Sequence, residues 1–131
     1  MPQVTGLDHI VLLVEDVERS VAWYVDELGL QAERLEEWRA KKVFFPSVRV
    51  SATTVIDILA RDAGNPRGDR THGEKNVDHF CLVVEDDVAE LARSGRFNVV
   101  DGPDRRWGAQ GDATSIYVTD PDGNVVELRA Y

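Results

Sequence analysis

The apolar residues of this chain fall into short runs, and the runs come in two matching sets. Leu7-Asp8-His9-Ile10-Val11-Leu12-Leu13-Val14-Glu15-Asp16 returns 70 residues later as Val77-Asp78-His79-Phe80-Cys81-Leu82-Val83-Val84-Glu85-Asp86. In each copy Asp-His opens an apolar run and Glu-Asp closes it. Val55-Ile56-Asp57-Ile58 and Val125-Val126-Glu127-Leu128 are also 70 residues apart, each an apolar run broken by one carboxylate. His9 therefore precedes Asp57 by 48 residues, and His79 precedes Glu127 by 48. Self-similarity at a fixed offset marks a repeated structural unit. A period this long, met twice, predicts a duplicated half-domain.

Within each copy the pattern predicts β-α-β-β-β. Residues 7–14 predict a strand buried on both faces. Alternation puts Leu7, His9, Val11 and Leu13 on one face of it. Asp16 predicts a helix N-cap. Val17, Val21, Tyr24, Val25 and Leu28 then form one apolar stripe, and Gly29 suits the left-handed residue that ends a helix. Leu30 to Trp38, Lys42 to Arg49 and Thr53 to Ala60 predict three strands, with Pro46 implying an edge or a bulge. Residues 61–76 hold no large apolar side chain and predict an exposed linker. Its Arg67-Gly68-Asp69 is read as a chance tripeptide and its His72 as solvated.

The second copy starts at Val77. Asp86 or Asp87 caps a shorter helix, with Val88, Leu91 and Ala92 facing inward and Gly95 at its end. Phe97 to Val100 predicts a strand closed by Gly102-Pro103. Residues 104–112 predict a charged, glycine-rich loop, and Thr114 to Thr119 a strand. Asp120-Pro121-Asp122-Gly123 is a strong turn signal, and Asn124 to Ala130 is the last strand. The expectation is one α+β domain over residues 1–131, with modules at about 5–60 and 77–131.

Composition narrows the partners. The net charge of −9 argues against nucleic acid and anionic membranes, which attract basic surfaces. No apolar run approaches the ~18 residues of a spanning helix. Residues 1–6 lack the basic start and apolar stretch of a signal peptide. One cysteine, Cys81, allows no intrachain disulfide. The expected location is cytoplasmic.

The candidate chemistry sits at the repeated positions. A carboxylate buried in an apolar strand costs several kcal/mol unless it is paired, protonated or metal-bound. Two histidines and two carboxylates on inner strands suit a shared divalent cation: Zn, Ni, Co, Fe or Mn. Open coordination positions on such an ion polarise a substrate oxygen or bind water. Asp57, one methylene shorter than Glu127, is expected to reach the ion directly or through water. Cys81 shares a strand face with His79 and is read as a small buried apolar residue. Trp23 flanks the helix stripe. Trp38, Arg105 and Trp107 are candidates for the substrate pocket. Phosphate-cradling glycine motifs and a nucleophile elbow are absent from the sequence.

The chain resembles the vicinal oxygen chelate superfamily, the glyoxalase, bleomycin-resistance and extradiol dioxygenase group, over about residues 5–131. Leu7-Asp8-His9-Ile10, Trp23-Tyr24 with Leu28-Gly29-Leu30, Val77-Asp78-His79, Asp120-Pro121-Asp122-Gly123-Asn124 and Val126-Glu127-Leu128 carry the resemblance. It looks most like the small glyoxalase-domain proteins. The resemblance implies two tandem βαβββ modules in a curled mixed sheet around a metal cleft, commonly in a homodimer. It implies metal ligands at His9, Asp57, His79 and Glu127, with Glu127 as general base in isomerase or lyase chemistry through an enediolate. The runner-up it implies is an iron-dependent ring-cleaving dioxygenase with a His9, His79 and Glu127 triad, and the third a metal-free bleomycin-type binding protein. Leu13 and Arg61 stand where the glutathione-type bacterial enzyme has arginine and asparagine, so glutathione is not implied.

Overall fold

The computed structural model describes residues 3, 5–61 and 77–131. The expected linker beyond Arg61, with Arg67-Gly68-Asp69 and His72, lies outside the described residues. The chain divides into two compact units, residues 1–70 and 71–131.

Unit 1 runs β1 (His9–Val14), α1 (Val17–Asp26), β2 (Gln31–Glu33), α2 (Leu35–Arg39), β3 (Ser47–Ser51) and β4 (Thr54–Ala60). Its four-stranded sheet has the order β1-β4-β3-β2, with β1 parallel to β4 and the other pairs antiparallel. Unit 2 runs β5 (Phe80–Val83), α3 (Val88–Arg93), β6 (Val99–Gly108), β7 (Gly111–Thr119) and β8 (Val125–Ala130). Its sheet has the order β5-β8-β7-β6, again with one parallel pair, β5 with β8. Each unit is thus βαβββ, the first with an added short helix.

The sequence repeat is a repeat of register. Ile10 pairs Ile56 and Val11 pairs Asp57; Phe80 pairs Val126 and Cys81 pairs Glu127. Ser47 pairs Asp57, and Tyr117 pairs Glu127. All of these positions differ by 70. The carboxylate therefore sits at the same node of both sheets, between the parallel and the antiparallel neighbour.

Local chemistry explains the elements. Asp16 caps α1, its Oδ1 accepting from the Arg19 amide at 3.0 Å. Asp87 caps α3, accepting from the Ala89 amide at 2.9 Å. Helix α1 packs on β3 and β4 and buries Val17, Val21 and Tyr24. Ile56 and Ile58 are buried and alternate with Val55, Asp57 and Leu59, so Asp57 stands on the other face of the sheet. In unit 2, Val126 and Leu128 are buried and alternate with Glu127 and Arg129. Each such fully buried aliphatic side chain contributes about 1.5–3 kcal/mol.

Four local expectations are corrected. Leu30 to Trp38 is not one strand: after the three residues of β2, Arg34 takes a left-handed φ of 61° and α2 follows. Leu35 and Trp38, and the ion-paired Glu36 and Arg39, sit three apart, a spacing that suits a helical turn. Residues 104–112 are not a loop: β6 continues through Gly102-Pro103 to Gly108, and Asp104 to Gly108 pairs with β7. Register shifts between Val99 and Asp104 accommodate the interruption. Nor is β1 buried on both faces. It is an edge strand of its sheet, and Val11 is 43% exposed. The strand expected from Lys42 begins only at Ser47: Pro46 accepts from the Ile58 amide at 3.0 Å but has no N–H to return the bond, so the ladder ends there.

Candidate functional site

Each unit brings one imidazole to one carboxylate. In unit 1, His9 pairs Val55 in register, two residues before Asp57, so the side chains of His9 and Asp57 share a face of the sheet. His9 Nε2 lies 3.9 Å from Asp57 Oδ2. In unit 2, His79 Nε2 lies 3.2 Å from Glu127 Oε1. The extra methylene of glutamate accounts for the closer approach.

The other ring nitrogen is engaged in both units. His9 Nδ1 is 2.7 Å from Asp8 Oδ2, and His79 Nδ1 is 2.6 Å from Asp78 Oδ2. An Nδ1–H donated to aspartate leaves Nε2 with its lone pair. That lone pair faces a carboxylate oxygen, a second acceptor. Two acceptors so close repel unless a proton or a cation serves both. Metal-ligating imidazoles commonly give their second N–H to a carboxylate in this way. The donor set therefore fits a borderline divalent cation. Among the described residues, the structure gathers no group of three His, Cys, Asp or Glu side chains able to hold an ion. The hydrogen bond to Asp8 raises the His9 imidazole above its ordinary 6.5, and the Asp57 charge adds to the shift.

The two carboxylates have different surroundings. Asp57 is buried, and its Oδ1 accepts from Ser47 Oγ at 2.6 Å. Glu127, 4% exposed, meets the phenol of Tyr117 and the guanidinium of Arg129 instead. Burial raises the Tyr117 phenol above its ordinary range, and the neighbouring Glu127 carboxylate raises it further. Tyr117 also meets the His79 ring edge-to-face, centroids 5.1 Å apart. Arg129 Nη1 lies 3.4 Å from Glu127 Oε2.

Cys81 corrects an expectation: the residue is exposed, because β5 is an edge strand of its sheet. Partial burial pushes its thiol up to about 11, and the Glu127 charge adds to this.

The structure thus joins His9 to Asp57 and His79 to Glu127. Trp38 is half-buried on α2 in unit 1. Arg105 and Trp107 lie exposed on β6 in unit 2. Arg105 Nη2 donates to the Asp112 carbonyl at 3.4 Å, and Trp107 is 79% exposed. Sequence reasoning missed Ser47, Tyr117, Arg129 and the roles of Asp8 and Asp78. The 70-residue offset maps Ser47 onto Tyr117, and alternation from Glu127 reaches Arg129. Only the register shows that these positions meet the carboxylates.

Comparison with known proteins agrees with this architecture. The family described as the Glyoxalase/Bleomycin resistance protein/Dioxygenase superfamily matches residues 6–128. Virulence protein STM3117 of Salmonella typhimurium is 30% identical over 132 residues, covering 98% of this chain and 85% of the relative. The glyoxalase domain-containing protein RDO1 of Mycosarcoma maydis is 29% identical over 131 residues, covering 98% and 69%. The crystal structure of a lactoylglutathione lyase from Agrobacterium tumefaciens shares the fold, with a TM-score of 0.63 at 20% identity, covering 98% and 95%.

Proposed function

This chain belongs to the glyoxalase/bleomycin resistance protein/dioxygenase superfamily, and on that premise we propose that it is a metal-dependent enzyme of glyoxalase I-like type. It acts on a small substrate with adjacent oxygens by isomerase or lyase chemistry. One observation supports this reading above the others: the Asp–His–carboxylate arrangement, present in both units with the second ring nitrogen held by aspartate. The relative named as a lactoylglutathione lyase lends it support at the level of fold.

In this proposal His9, Asp57, His79 and Glu127 are the ligands of the divalent cation. A bound cation supplies a Lewis acid for charge developing on substrate oxygen. Glu127 would also be the general base, its Oε1, the oxygen that faces His79, taking the proton when it is not engaged by the cation. Asp8 and Asp78 fix the tautomer and orientation of the two imidazoles. Trp38, Arg105 and Trp107 bind substrate, and the protein works as a homodimer.

A second reading has its own observation. Asp57 stands 3.9 Å from His9 and is already engaged by Ser47, which favours a set of His9, His79 and Glu127. That is the triad of an iron-dependent ring-cleaving dioxygenase.

Metal analysis of purified protein, before and after chelator, tests the proposal. Bound divalent metal whose removal abolishes turnover is the expected result. Protein that is metal-free and unaffected by added metal would instead match a sequestering protein. Oxygen uptake with a panel of catechols separates the two enzymes: uptake sinks the lyase reading. Glu127→Gln is expected to lower turnover by roughly 10²–10⁴-fold, the usual range for loss of a general base. Unchanged turnover removes Glu127 from the chemistry.

A further inference from the structure

Unit 2 buries an arginine that the chemistry above leaves unused. Arg129 follows Glu127 by two residues on β8, so both side chains stand on the same face of the sheet. Each residue is 4% exposed. Arg129 Nη1 lies 3.4 Å from Glu127 Oε2 and donates to the Trp107 carbonyl at 3.1 Å. Its Nη2 donates to the Arg106 carbonyl. Both carbonyls belong to the end of β6, where the chain turns into β7. The Tyr131 ring centroid lies 5.0 Å from the guanidinium carbon. The Tyr131 hydroxyl accepts from the Gln110 amide at the hairpin tip, at 3.0 Å.

Gly108 makes room for this. A Cβ there would lie 1.9 Å from Arg129 Nη1 and 2.7 Å from the Tyr131 oxygen. The guanidinium fills the space a side chain would need. Its charge, almost out of water, requires a counter-charge, and Glu127 supplies one. The 3.4 Å contact lacks hydrogen-bond alignment, and Oε2 accepts no hydrogen bond. Glu127 thus has one oxygen held by charge against Arg129 and the other turned to His79. In unit 1 the equivalents of Arg129 and Tyr117 are Leu59 and Ser47.

We propose that Arg129 is a positioning residue: it ties Oε2 of Glu127 to the β6–β7 hairpin, leaves Oε1 as the one oxygen offered to a cation beside His79, and so couples the hairpin to the ligand. The inference rests on Glu127 being a metal ligand, as proposed above. It adds that Glu127 binds through a single oxygen and that the strand carrying Arg105 and Trp107 reports to it.

Cobalt(II) titration of the full chain tests the ligand half, because visible cobalt absorption weakens as coordination number rises. Arg129→Met frees Oε2 to bind as well, and a several-fold loss of absorption at saturation is expected. Arg129→Lys keeps the charge and restores part of it. Gly108→Ala, which pushes the guanidinium aside, gives the same loss with Arg129 in place. A spectrum unchanged in Arg129→Met and Gly108→Ala, both folded by circular dichroism, overturns the single-oxygen claim.

Hydrogen exchange on metal-free protein tests the coupling half. Glu127→Gln removes the counter-charge, and amides of residues 108–111 should exchange at least about tenfold faster, the loss of one charge-assisted contact. Unchanged exchange overturns the coupling. Should the wild type take up no cobalt, the metal reading and the single-oxygen claim fail together, and the exchange result alone decides the coupling.

Discussion

Ser47 donates to a carboxylate with little water to turn to. Asp57 is buried, and Ser47 Oγ at 2.6 Å satisfies its Oδ1. Ser47→Ala leaves that oxygen orphaned and is expected to destabilise by about 1–3 kcal/mol, read as a lower urea midpoint at constant slope. A loss under about 0.5 kcal/mol would mean that water replaces the hydroxyl. At this scale the four repeated residues were legible, because each is an ionisable group breaking an apolar run. Ser47 and Tyr117 were not, because a hydroxyl in a strand is unremarkable until register sets it opposite a carboxylate. Arg129 was legible in type but not in role. Whether an arginine two residues past a glutamate reaches water or the carbonyls of another strand depends on the hairpin, which the sequence disguised.

Elements whose causes are local were read well. Asp16 and Asp87 cap α1 and α3 as expected, and Gly29 and Gly95 take positive φ just past the helix ends. Asp16→Ala should cost about 1 kcal/mol, seen as a lower unfolding midpoint; no change would remove the cap from the account of α1. Elements whose causes are tertiary were misread. Helix α2 is five residues long, too short for periodicity to declare itself, and it is tied to α1 by a two-pronged ion pair. Arg39 Nε and Nη2 each lie 2.7 Å from a Glu18 oxygen. The Arg39 guanidinium holds the Glu18 carboxyl below its ordinary 4.5. A depressed carboxyl contributes stability above that value and loses it as pH falls through it. Glu18→Gln should therefore flatten the fall of melting temperature below about pH 4.5, and an identical slope would show the pair to be idle. The end of β6 was misread because charged residues and glycines look like loop, and only pairing with β7 makes them strand.

For the whole molecule, the repeat predicted two βαβββ units, and the paired registers, node for node, are its physical content. Among the described residues no helix is long and apolar enough to cross a bilayer. If metal binds the folded chain alone, free ion at a hundred times its dissociation constant should add about 2.7 kcal/mol of stability. Denaturant unfolding with and without metal measures this. His9→Ala and His79→Ala should each abolish the increment; survival in either variant removes that histidine from the ligand set.

The crowding at Gly108 also governs how this hairpin can change by mutation. Residues 108 and 129 form a lock and its key: while arginine fills the keyhole, the hairpin has no freedom at that point. A library randomising residues 104–112 for new specificities should return glycine at 108 in its surviving clones. Other residues there should surface only when codon 129 is varied as well.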